Sequence, residues 1–125
     1  MLRTLTIFAT LILISTAGHA ADFYVDPEQG DPANDGSADK PWRSLQEVFG
    51  RGLVRSRTWE SLPYKQGSRL VPKNPAAPVK AGDTIWLRNG FHGNLAIQGY
   101  YNADCITIAA VEGHTPRFRS VRLRS

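Results

Sequence analysis

The chain has 125 residues, 42% hydrophobic and 21% charged, with a formal net charge of +4 from 15 Lys+Arg against 11 Asp+Glu. That length fits one domain at most, and the composition excludes wholesale disorder and a polytopic membrane protein. One cysteine, Cys105, rules out an internal disulfide, so stability must come from packing or from further sequence.

Residues 1–20 read as a leader. Arg3 is the only charge, an apolar run follows from Leu5 to Ile14, and Ser15-Thr16-Ala17-Gly18-His19-Ala20 closes the segment. A short basic start, an apolar run and small residues are the marks of a secretory signal. Gly18 and Ala20 occupy the minus-three and minus-one positions of a cut after Ala20. An uncleaved anchor fits less well, because Leu5 to Ala17 falls short of the ~20 residues that a span requires. The product, 21–125, is expected in a secreted or periplasmic compartment with 14 basic and 11 acidic side chains.

Residues 21–50 open with a short strand, Phe23-Tyr24-Val25, and a turn-rich loop dense in Pro, Gly, Asn and Asp. Residues 22–39 hold six acidic residues and no basic one. Ser44 with Glu47 three residues on makes a capping box, and Leu45, Val48 and Phe49 make an apolar stripe. A short helix is predicted there, stopping near Gly50 to Gly52. Residues 51–80 contain Pro63, Pro72, Pro75 and Pro78 and read as a long surface loop, with Trp59, Leu62 and Tyr64 available to fold it onto a core. The charge balance reverses here: residues 40–80 hold nine basic residues and two acidic ones.

Residues 81–125 are strand-like. Gly82-Asp83 turns, then Ile85 and Leu87 alternate on one face; Leu95 and Ile97 follow, then Ile106 and Ile108, then Phe118, Val121 and Leu123. Ile85 to Ile106, Leu87 to Ile108 and Ile97 to Phe118 are each 21 residues apart. A constant offset suggests a unit that stacks on itself, as in one coil of a parallel β-helix. Hairpins account for the alternation equally but do not require the offset.

Certain residues carry a family resemblance. They are Tyr24-Val25, Gly30-Asp31, Asn34-Asp35-Gly36-Ser37, Lys40-Pro41-Trp42 and Ser44-Leu45-Gln46. Gly82 through Gly90, Ile106 through Ala110 and Glu112 through Pro116 extend the match. In this order they resemble the opening of secreted right-handed parallel β-helix proteins, the pectate-lyase-like superfamily. The resemblance implies an all-β fold, a right-handed single-stranded parallel β-helix with an N-terminal cap and about two coils. It covers 22–50 and 81–125 and lapses at 51–80. Only 44 residues run from Gly82 to Ser125, so the coils are expected to be incomplete, with an uncovered end.

The family includes polysaccharide lyases, hydrolases, epimerases and noncatalytic surface proteins. Its catalytic residues lie on middle coils, so no catalytic residue carries over and no cofactor-binding or metal residue is assigned. Asp26, Asp31, Asn34, Asp35 and Asp39 collect oxygen atoms that suit calcium, but the EF-hand spacing is absent and Asx turns explain them as well. His92 and His114 read as turn or surface residues, and Cys105 as an inward, inert thiol. Trp86 lies opposite Ile85 and Leu87, facing outward, where it stacks on a sugar or packs under the 51–80 loop; Trp42 and Trp59 read as packing residues. A corner near Ser120 would keep Arg117, Arg119, Arg122 and Arg124 all outside, available to an acidic polysaccharide. Nucleic acid is a poor partner for an exported chain without a recognition motif. The expectation is the opening of a secreted β-helix protein that acts on or binds polysaccharide. The alternatives are a noncatalytic carbohydrate-binding, adhesin or structural β-helix, and a truncated product without function.

Overall fold

The computed structural model describes residues 19–124. The expected leader therefore falls, apart from His19 and Ala20, outside the described residues. Strand β1 is Asp22–Val25, helix α1 Leu45–Gly50, β2 Arg57–Trp59, β3 Leu70–Pro72, β4 Thr84–Leu87, β5 Gly90–Phe91, β6 Asn94–Gln98, β7 Thr107–Ala110, β8 Pro116–Arg117 and β9 Ser120–Arg124. The structure is largely β. Three of its four small sheets are parallel: β1-β4-β7, β5-β8 and β6-β9. The chain passes through β4, β5 and β6, then through β7, β8 and β9, and each later strand lies beside its earlier counterpart in the same order.

The register corrects the 21-residue offset. Ile85 pairs with Ile108 and Leu87 with Ala110, an offset of 23, whereas Leu95 pairs with Val121 and Ile97 with Leu123, an offset of 26. The three-residue difference arises in one turn. Residues 88–89 link β4 to β5, whereas 111–115 link β7 to β8. Asn89 spans the longer turn: its N–H donates to His114 Nδ1 at 2.9 Å and its Oδ1 accepts from Thr115 N–H at 2.6 Å. On the first sheet the error of two leaves the inward face unchanged, because side chains alternate with a period of two.

The first edge of this stack is closed. Val25, Trp42, Leu45, Val48, Ile85, Leu87 and Leu95 form the buried core. Trp42 stacks on Phe23 at 5.3 Å, and its Nε1 donates to Asn34 O at 2.7 Å. The loop wraps that ring closely at Gly36, where φ is +82° and a Cβ would meet the indole at 2.7 Å, so only glycine fits. The expected helix forms with Ser44 as N-cap, its hydroxyl accepting from Glu47 N–H, while the Glu47 carboxylate pairs with Arg43. The Arg43 guanidinium holds that carboxyl below the usual carboxylate range. Gln46 then lines the edge of β6: its Oε1 accepts from Ala96 N–H at 2.7 Å and its Nε2 donates to Ala96 O at 3.4 Å. A side-chain amide thus supplies what a neighbouring strand would.

Residues 51–80, read from the prolines as a long surface loop, contain two short strands. β2 and β3 form an antiparallel ribbon, and Val54 and Val79 form a parallel bridge with both side chains fully buried. Asn74 organises the segment, donating to Gly52 O and Val54 O and accepting from Ser56 N–H. The residues that reach the core are Val54, Ala77 and Val79. Trp59 instead packs edge-on against Tyr64 at 4.9 Å, and Leu62 stays exposed. No helix among the described residues is long and apolar enough to cross a membrane.

Candidate functional site

The acidic loop spends its oxygen atoms on itself. Asp26 Oδ1 accepts from Glu28 N–H and Gln29 N–H, Asp31 Oδ1 from Ala33 N–H, and Asp35 Oδ1 from Ser37 N–H. The Ser37 bonds hold the Asp35 carboxyl below its ordinary value. Asn34 donates to Pro41 O. Arg88 ties the loop to β4, with its guanidinium 5.2 Å from the Tyr24 ring centroid, 3.6 Å from Asp26 Oδ2 and donating to Ala38 O. Asx turns account for these bonds. Among the described residues no three His, Cys, Asp or Glu side chains come together in a way that would hold a metal ion.

Two single-residue expectations are corrected. His92, read as a turn or surface residue, does lie in the connection between β5 and β6 but is not on the surface: it is 4% exposed, stacks on Phe118 at 5.1 Å and donates from Nε2 to Arg88 O. It follows β5 with its ring turned inward, which the adjacent glycines concealed in the sequence. Cys105 is exposed, not inward. It lines a hollow of about 510 Å³ together with Phe49, Ile97, Ile106, Ile108 and Leu123. Among the described residues no strand pairs with the outer edge of β7, and Cys105, two residues before that strand, meets solvent. His114 sits in its turn as expected, half-buried and bonded to Asn89.

Trp86 faces outward beside Tyr24 and Ala109, half-buried, and donates from Nε1 to Asp22 Oδ1 at 2.9 Å. Trp42 is buried, and Trp59 packs on Tyr64.

The cationic side chains gather more definitely. Arg117, Arg119, Arg122 and Arg124 are all exposed, because the chain bends at Arg119 between β8 and β9 while Phe118 turns inward onto His92. On β9, Arg122 lies beside Ala96 and Arg124 beside Gln98, around a surface depression of about 230 Å³. A second pair, Arg55 and Arg57, comes from the segment read from the sequence as a long surface loop. The backbone between them is clamped: Arg55 N–H donates to Val79 O, Ser56 N–H to Asn74 Oδ1, and Arg57 N–H to Tyr101 O. Arg55 Nε donates to Ala77 O at 2.8 Å, which fixes its guanidinium and leaves the terminal nitrogens available. Arg55 and Arg57 line a cleft of about 330 Å³ with Pro72, Pro75, Lys80 and Asn102.

Both pairs flank one connection, Gly99 to Asn102. Gly99 N–H donates to Arg124 O on one side, and Tyr101 N–H donates to Ser56 Oγ on the other. Among the described residues none of these four arginines has a carboxylate partner. Arg55-Ser56-Arg57 within a basic zone was the available sequence signal; only the fold sets it near β9. No family model, curated protein or solved structure matches this chain.

Proposed function

We propose that this is an exported protein, that it forms the closed opening and first two coils of a right-handed parallel β-helix, and that it binds acidic polysaccharide through Arg55, Arg57, Arg122 and Arg124. The observation that carries the binding reading is the placement of two arginine pairs on either side of Gly99–Asn102, without a carboxylate partner among the described residues. Planar guanidinium groups bind carboxylates and sulfates by paired N–H bonds, and arginines two apart on extended backbone repeat every ~7 Å, a spacing suited to a polymer with regular charges. The parallel order β4-β5-β6 beside β7-β8-β9 supports the coil reading, and crossovers between parallel strands are overwhelmingly right-handed.

The test is retention of the exported product in gels or columns carrying polygalacturonate, alginate or neutral dextran. Retention by the two acidic polymers, weakening with added salt, is expected. The combined Arg57→Gln, Arg122→Gln and Arg124→Gln variant should bind at least about tenfold more weakly, since charge-assisted bonds are lost at three positions. Equal retention on dextran, or an unaffected triple variant, overturns the reading. The reading is one of binding rather than cleavage, so ultraviolet-absorbing unsaturated product would also overturn it.

A second reading, a structural role in a longer parallel stack, is favoured by a separate observation. The edges of β7, β8 and β9 have no strand neighbour among the described residues, and the hollow beside them is apolar. An absence of polysaccharide retention together with concentration-dependent growth in mass would favour it.

A further inference from the structure

A carboxylate buried at the start of β4 lies where the chain would begin after removal of the leader. Asp83 has no exposed surface. Its Oδ1 accepts from Ala21 N–H at 2.8 Å and from Lys80 Nζ at 2.6 Å, and its Oδ2 accepts from Lys80 N–H at 2.8 Å. Ala21 is held from the other side as well, its carbonyl accepting from Thr84 N–H at 3.0 Å. Ala21 is also the first residue after the small-residue pattern Gly18-His19-Ala20. Two unrelated facts thus coincide: the sequence marks the Ala20–Ala21 bond for cutting, and the fold aims the nitrogen of that bond at a fully buried anion.

We propose that Ala20–Ala21 is the processing site and that the α-ammonium group it releases is a built-in ligand of Asp83. In the cut, a peptidase of the export route directs water onto the Ala20 carbonyl carbon. The C–N bond breaks, hydroxyl goes to carbon and hydrogen to nitrogen; the new carboxyl then yields its proton and the Ala21 amine takes one up. One neutral N–H donor becomes a cation with three. Asp83 is attacked by burial, which raises its pKa, but the Ala21 and Lys80 bonds outweigh burial and hold it low. Lys80 Nζ is shared with His19 O at 3.2 Å in the uncut chain. Removal of His19 frees that ammonium for Asp83 alone, so the processed carboxylate is flanked by two cations instead of one. Each partner of a carboxylate buried in this way offsets its desolvation, and a lost partner leaves an uncompensated charge. Processing would therefore complete the junction of β1 with β4. The inference rests on export, not on saccharide binding.

The experiment has two arms. N-terminal sequencing of the exported product should give Ala21-Asp22-Phe23; any other start overturns the proposal. The same product is then compared with a form acetylated at Ala21, in which the charge is removed and the chain is otherwise identical. The acetylated form should melt several degrees lower at neutral pH, and the α-amine of the unmodified form should titrate above the ordinary ~8. Equal melting temperatures, or an amine that titrates normally, overturn the pairing. Asp83→Asn should erase the difference between the two forms. Should that variant not fold, the amine titration of the unaltered protein still decides.

Discussion

The two ends of the strand stack carry the same inward alternation and bury it very differently. At the closed end, Val25, Leu45, Val48 and Ile85 have essentially no exposed surface. At the other end, Ile108 is 38% exposed, Val121 52% and Leu123 68%, although they stand directly beside Ile85, Leu95 and Ile97 in register. Alternation therefore sets which way a side chain points. A neighbouring layer decides whether it is buried. Helix α1 and the loop carrying Trp42 are that layer on one side.

The largest effect should come from the closed end. Leu45→Ala removes a fully buried side chain of α1 and is expected to cost about 2–5 kcal/mol in urea unfolding. A cost under about 1 kcal/mol would mean that the helix is not the cover.

Asp83 should come next. Asp83→Asn leaves the Ala21 and Lys80 donors around a group without charge, with an expected loss of about 2–3 kcal/mol near pH 7. The pH dependence has a definite sign. The folded pKa lies below the unfolded value of about 3.9, so the contribution is present above that value and disappears as pH falls through the folded one. Acid melts of wild type and variant should thus converge at low pH; a constant gap down to about pH 2 would contradict the buried carboxylate.

A smaller loss is expected at Gln46. Gln46→Ala uncovers Ala96 N–H and O at the β6 edge, which regain water in part, for about 1 kcal/mol. Faster hydrogen exchange confined to the Ala96 amide would identify that edge; unchanged exchange would remove the strand-mimicking role.

Much of this was legible in the sequence, for local reasons. Ser44 and Glu47 marked the helix, Phe23 to Val25 the first strand, and the alternating Ile and Leu residues the inward faces. The spacing between layers was not legible, because it depends on a turn whose length changes from two residues to five and is closed by Asn89 across 26 positions. The 51–80 ribbon was hidden for a similar reason. Four prolines advertise breaks, whereas the Val54–Val79 bridge and the Asn74 bonds that organise the segment join residues 18 to 25 apart. The arginine pairs share that limit: 55–57 and 122–124 are related only through the Gly99–Asn102 connection.

The smallest expected change tests the open end directly. Val121→Thr keeps a β-branched side chain on β9 and Leu123→Thr introduces one, so both stay strand-compatible while apolar surface gives way to a hydroxyl group. Both positions are more than half exposed, so each change should alter stability by no more than about 0.5 kcal/mol in dilute protein. Leu123 lines the hollow with Ile97, Ile106 and Ile108, Val121 precedes it by two on β9, and strand edges beside apolar surface favour self-association. The double variant should therefore remain monomeric to higher concentration in sedimentation velocity while melting as wild type does. A loss of several kcal/mol would instead show that β9 is covered in solution, and the contrast between the two ends would then be one of partner rather than of burial.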